Sequence, residues 1–160
     1  MSLDELLEAG VSEGVYGTAR AVVLHRGGTV FSGGPAAEET LFDLASVTKV
    51  LATTAAFLSL RKAGAVSNTT RLRALVPHAV ADVSLEDLLF HRSGLPAFVP
   101  YFADAVRAAP ELLRGDCPRA VREAAREQVV AAAQATRTTA VPGAAAVYSD
   151  VGFILLGEAL

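Results

Sequence analysis

Apolar and polar positions recur with two periods along this chain, and each change of period marks an element. Residues 3–9 set Leu3, Leu6 and Leu7 among Asp4, Glu5 and Glu8, which predicts a short amphipathic helix stopped by Gly10. Thr18 to His25 is a β-branched and apolar run. Arg26-Gly27-Gly28 then supplies turn residues, and Thr29-Val30-Phe31-Ser32 resumes an extended pattern before Gly33-Gly34-Pro35. That sequence of signals predicts a β-hairpin.

From Ser46 to Lys62 the pattern changes. Val47, Val50, Leu51, Ala55, Ala56, Phe57, Leu58 and Leu60 surround the helical wheel almost completely, which predicts a buried helix. Arg61 and Lys62 complement its C-terminal dipole and Gly64 ends it. Ser84-Leu85-Glu86-Asp87 reads as a capping-box start for a helix over Leu85–His91, with Gly94 and Pro96 beyond it. Residues 119–135, rich in Ala and Arg, predict an amphipathic surface helix. After the break at Val141-Pro142-Gly143, Val151 to Leu160 predict a largely apolar helix. Two strands alone make a marginal sheet. The hairpin is therefore expected to pair with strands that this sequence does not contain, as part of an incomplete domain.

Composition narrows the function classes. Of the 160 residues, 52% are hydrophobic and 19% charged, enough apolar content for a core. The net charge of -3 and 14 scattered Lys and Arg residues leave no basic stripe, so no nucleic-acid partner is expected. Cys117 is the single cysteine, in a turn-like Gly115-Asp116-Cys117-Pro118, and reads as an unpaired loop thiol. His25, His78 and His91 show no ligand spacing, so no metal and no other cofactor is expected. An acidic N-terminus without a secretory pattern, and no apolar run of membrane length, predict a cytoplasmic protein without a membrane partner.

Three segments carry chemistry. In Ser46-Val47-Thr48-Lys49 the i, i+3 spacing puts hydroxyl and ammonium on one helical face. Serine needs a base to become a nucleophile, and a lysine whose pKa is lowered can serve. The helix start adds N–H groups that favour an oxyanion; a plain N-cap serine fits the same letters. Tyr148-Ser149-Asp150 brings a phenol and a carboxylate to the start of the last helix, where Ser149 or Asp150 also suits an N-cap with Tyr148 packing as core. In Leu88 to Pro96, His91 reads first as a C-terminal helix cap near Gly94 and second as a base. Gly10-Val11-Ser12-Glu13-Gly14 matches a nucleophile-elbow pattern, but a helix precedes it and a strand follows, the reverse of what that motif needs.

Taken in order, these segments resemble the β-lactamase-related serine hydrolases, the group of class C β-lactamases, penicillin-binding proteins and family VIII esterases. Phe42 to Lys49 resembles their S-x-x-K element. Leu88-Leu89-Phe90-His91-Arg92-Ser93-Gly94-Leu95-Pro96 resembles an LL-x-H-x-SGLP segment, and Pro142-Gly143 with Tyr148-Ser149-Asp150-x-Gly152-Phe153 resembles PG…YSN-x-GY. The resemblance implies an α+β fold of the β-lactamase/transpeptidase type. In it residues 1–40 are a helix and the hairpin of an antiparallel sheet, residues 41–160 the helical part, and the later strands are missing.

The resemblance also implies that Ser46 attacks an acyl carbon, that Lys49 and Tyr148 handle its proton, and that Asp150 supports the site where Asn is commoner. A carboxylate there should keep Lys49 protonated and make Tyr148 the base. A later K-T-G or H-x-G strand is absent from the chain. The expected activity is hydrolysis of a small-molecule ester, amide or peptide through an acyl-enzyme, closer to an esterase or peptidase than to a true β-lactamase. A catalytically incomplete fragment or pseudo-enzyme acting as a binding module is the second reading. The sequence does not specify an oligomeric state.

Overall fold

Ser2 begins the first helix through its side-chain chemistry. Its Oγ accepts the Glu5 N–H, and the Glu5 carboxylate accepts the Ser2 N–H at 2.7 Å. In the computed structural model, which describes residues 1–160, this helix α1 runs Leu3–Ser12 and passes the stop expected at Gly10. The lack of a side chain at Gly10 is used differently: a Cβ there would overlap the Tyr16 ring, whose hydroxyl donates to the Leu7 carbonyl at 3.1 Å.

The predicted hairpin forms as β1 (Ala21–His25) and β2 (Gly28–Gly33), antiparallel and the only strands of the sheet. Arg26 and Gly27 both take positive φ, 47° and 81°, the mirror-image turn whose twist matches that of the flanking strands. Pairing passes from Val23↔Phe31 to Leu24↔Thr29, so Val30 bulges out of register. Val22, Leu24 and Val30 stay exposed.

Residues 1–44 form one compact unit and residues 45–160 another. The second is helical. A π-helical stretch, Lys49–Thr54, runs directly into α2 (Ala55–Lys62). There follow α3 (Leu72–Leu75), α4 (Leu85–Leu89), α5 (Tyr101–Ala108), a 3₁₀ turn (Pro110–Leu113), α6 (Arg119–Ala135) and α7 (Asp150–Ala159). With the hairpin, this is an α+β fold.

The core gathers Phe57, Leu72, Val83, Leu85, Leu88, Leu95, Ala133 and, from α7, Val151, Leu155 and Leu156. Each fully buried leucine contributes about 1.5–3 kcal/mol relative to exposure. The prediction of a buried helix over 46–62 is corrected here. The core reaches that helix at Phe57 alone, and Val47, Val50, Leu51 and Leu58 remain 52–67% exposed. An apolar circumference states what a helix is able to bury, and only one side of this one has a neighbour. No helix is long and apolar enough to cross a membrane.

Candidate active site

Ser46 lies in the turn that begins the π-helical stretch, with Thr48 and Lys49 donating N–H groups back to Ala45 and Ser46 carbonyls at 3.1 Å. The residue before it, Ala45, takes φ 42°. An alanine in the left-handed region is strained, and this one directly precedes the serine. One turn on, the Lys49 ammonium donates to Ser46 Oγ at 3.2 Å. The wider winding over Lys49–Thr54 starts at this lysine; π-helical turns are frequent at functional sites.

The other half of the site arrives through a backbone seam between residues 91–97 and 139–150. Thr139 and Ala140 N–H groups donate to the Gly94 carbonyl at 2.8 and 3.2 Å. Gly143 N–H donates to Arg92 O at 2.7 Å, Val147 N–H to His91 O at 2.8 Å, and Asp150 N–H to Ala97 O at 2.8 Å. The letters of Ser93-Gly94-Leu95 follow from this seam. Gly94 has φ 71°, and a Cβ on it would overlap the Ala140 carbonyl. Ser93 is buried and its Oγ accepts the Leu95 N–H at 3.3 Å, while Leu95 enters the core.

Ser149 closes the seam and starts α7. Its Oγ accepts the Gly152 N–H at 3.0 Å and donates to Pro96 O at 2.7 Å, and the residue is 1% exposed. Of the two caps the sequence allowed, the helix uses Ser149 and leaves Asp150 in the first turn. The Asp150 carboxylate instead meets Lys49, with Nζ to Oδ1 2.6 Å. That Oδ1 is buried and has no well-angled hydrogen bond of its own, so the ammonium is what offsets its burial. The Lys49 ammonium also lies 5.1 Å from the centre of the Tyr148 ring and 5.8 Å from that of Phe153.

These contacts set protonation. Burial alone pulls the Lys49 ammonium down, but its close contacts with Asp150 and then Tyr148, with their charges, outweigh it and hold Lys49 above its ordinary value. The hydrogen bond from Ser46, then that from Lys49, hold the Tyr148 phenol below its ordinary value. Tyr148 is 54% exposed, so it faces solvent. The structure thus brings Ser46, Lys49, Tyr148 and Asp150 together. The raised value disfavours the free amine form of Lys49, and the lowered one favours the phenolate form of Tyr148.

His91 fulfils the capping role expected of it, though through its backbone. At φ 56° it occupies the left-handed position after α4: its N–H donates to Leu88 O at 3.1 Å, and the Arg92 N–H reaches Asp87 O at 2.6 Å. For this reason α4 ends at Leu89, short of the predicted His91. The ring does something the sequence did not suggest. Its Nδ1 accepts the Ser149 N–H at 3.0 Å. The imidazole lies 4.5 Å from the Tyr148 ring centre and 4.9 Å from that of Phe153.

An open pocket of about 500 Å³ adjoins Ser46 and Lys49. Its walls include Phe98, Val99, Phe102, Phe153 and Ile154, and its charged members are Lys49 and Asp150, which neutralise each other. None of these wall residues except Phe153 belonged to a motif, and an apolar lining carries no letter pattern that separates it from core. No group of three His, Cys, Asp or Glu side chains converges as a metal site would require.

A family model described as Beta-lactamase matches residues 3–160. No curated protein and no solved structure matches the chain.

Proposed function

Because the chain belongs to the Beta-lactamase family, we propose that it is a serine hydrolase that cleaves an ester or amide through an acyl-enzyme on Ser46. One observation carries the reading: the Lys49 ammonium meets Ser46 Oγ at 3.2 Å, the Asp150 carboxylate at 2.6 Å and the Tyr148 ring centre at 5.1 Å. In the proposed step Ser46 Oγ forms a bond to the acyl carbon while its proton passes to the Tyr148 phenolate. Collapse of the tetrahedral intermediate breaks the bond to the alcohol or amine, which leaves with the proton from Tyr148. Water then repeats the sequence in reverse and frees the acid. Lys49, kept cationic by Asp150, stabilises the phenolate and the developing oxyanion charge.

The pocket supports a substrate class. Apolar walls and a neutralised ion pair suit a small uncharged acyl or aryl group better than a carboxylate-bearing one. A non-hydrolytic binding module is the second reading, and the ion-paired Lys49 is the observation that favours it, since that amine is not available as a base. Labelling with a fluorescent serine-directed phosphonate or penicillin separates the two. The wild-type chain is expected to label and Ser46→Ala to stay dark. Labelling unaffected by Ser46→Ala removes Ser46 as nucleophile, and an unlabelled wild type favours the binding module.

A further inference from the structure

We propose that His91 is the positioning residue that holds Tyr148 and Asp150 against the Ser46–Lys49 pair, and that it does so only while its imidazole is neutral. For its consequence on turnover the proposal rests on the hydrolase reading above; for the positioning itself it does not. A backbone amide can only donate, so the 3.0 Å contact from Ser149 N–H requires a lone pair on His91 Nδ1, and any ring proton must sit on Nε2. Ser149 lies between Tyr148 and Asp150, so its amide sets the height of both. Protonating Nδ1 would face one N–H with another and remove the only side-chain acceptor this amide uses.

The ring is well placed to transmit the change. It is flanked by Tyr148 at 4.5 Å and Phe153 at 4.9 Å, and its backbone is fixed by the α4 cap. The charged and titratable groups facing it are Lys49 from the π-helical stretch, Tyr148 from the segment before α7, and Asp150 from α7. Burial first, and the Lys49 charge second, favour the neutral ring, with Asp150 opposing. The latch is therefore closed at neutral pH and released in acid.

The left-handed backbone at position 91 suggests the decisive variant. Asn tolerates φ 56° better than other residues with a side chain, and its Oδ1 falls where Nδ1 lies. His91→Asn keeps an acceptor that cannot be protonated in this range, and His91→Leu removes it. Two measurements are made on the full chain. The first is titration of the Tyr148 phenol by phenolate absorbance, isolated in each background by subtracting the corresponding Tyr148→Phe protein. Tyr148 is expected to titrate below the ordinary tyrosine value in wild type and H91N, and to return toward it in H91L. An unchanged Tyr148 titration in H91L overturns the positioning role.

The second is the rate of Ser46 labelling by a fluorophosphonate against pH. Wild type is expected to slow on acidification below pH 6.5, the ordinary histidine value. Wild type and H91N share the slow decline set by protonation of the Tyr148 phenolate, but H91N should lack the additional fall below pH 6.5, and H91L should label about ten- to a hundredfold slower throughout. The same additional fall in wild type and H91N overturns the requirement for a neutral ring, and that comparison stands even where H91L does not fold. If no protein labels, wild type included, yet Tyr148 titration moves as expected, the hydrolase reading fails and the positioning role is upheld.

Discussion

Replacing Ser149 with alanine tests the seam that builds the site. The hydroxyl removed does two jobs in a fully buried place: it accepts the Gly152 N–H at 3.0 Å and donates to Pro96 O at 2.7 Å. Loss of an N-cap costs about 1 kcal/mol, within a range of roughly 0.5–2. A buried donor or acceptor stranded without its partner adds about 1–3 kcal/mol. These overlap at Gly152, so Ser149→Ala is expected to destabilise by about 2–4 kcal/mol. Ser84→Ala is the comparison: it also removes an N-cap, but a part-buried one whose hydroxyl otherwise bonds only Asp87, and about 1 kcal/mol is expected. Urea unfolding followed by far-ultraviolet circular dichroism measures both. The midpoint for Ser149→Ala should fall by about 1–2 M with its slope unchanged. A loss no greater than that of Ser84→Ala refutes the claim that this hydroxyl ties the start of α7 to residue 96.

Other expectations follow from the same geometry. Asp150→Asn removes the carboxylate charge that helps raise Lys49, so the alkaline limb of the pH–labelling profile should move to lower pH; an unmoved profile would sink the electrostatic account. Leu155→Ala, at a wholly buried position of α7, should cost about 2–5 kcal/mol in urea unfolding, and a loss under about 1 kcal/mol would place that side chain outside the core. Stability should also depend on pH through His91. Its folded pKa lies below the unfolded value of 6.5, so its contribution is complete above pH 6.5 and is lost as pH falls through the folded value. Wild type should accordingly lose urea stability between pH 7 and 5 more steeply than His91→Asn, and parallel curves would contradict this.

Local chemistry was legible wherever a residue's own bonds decide the outcome. The Ser84 capping box, the α6 span 119–135, the hairpin with its glycine-bearing turn and the four converging site residues were readable because caps, turns and motif spacings act over a few positions. Features decided by distant partners were not. The apolar circumference of the 46–62 helix gave no sign that only Phe57 would find a neighbour. Helix α5 has an amphipathic pattern interrupted by nearby prolines, and it went unpredicted with the 3₁₀ turn after it. Gly10 reads as a stop in isolation and is a point of close approach once Tyr16 is in place. His91 shows the limit most clearly: its backbone role follows from its place after α4, whereas its ring acts on a segment 58 residues away.

The seam between residues 91–97 and 139–150 has a topological result. Everything from Phe98 to Thr138 is an excursion whose two feet are cinched together by main-chain bonds. Changes of length far from those feet, as in Arg114-Gly115-Asp116-Cys117 between the 3₁₀ turn and α6, are absorbed within the excursion and leave the spacing of Ser46, Tyr148 and Asp150 untouched. The spacing of those three side chains and the length of the segment between the feet are thereby free to vary separately.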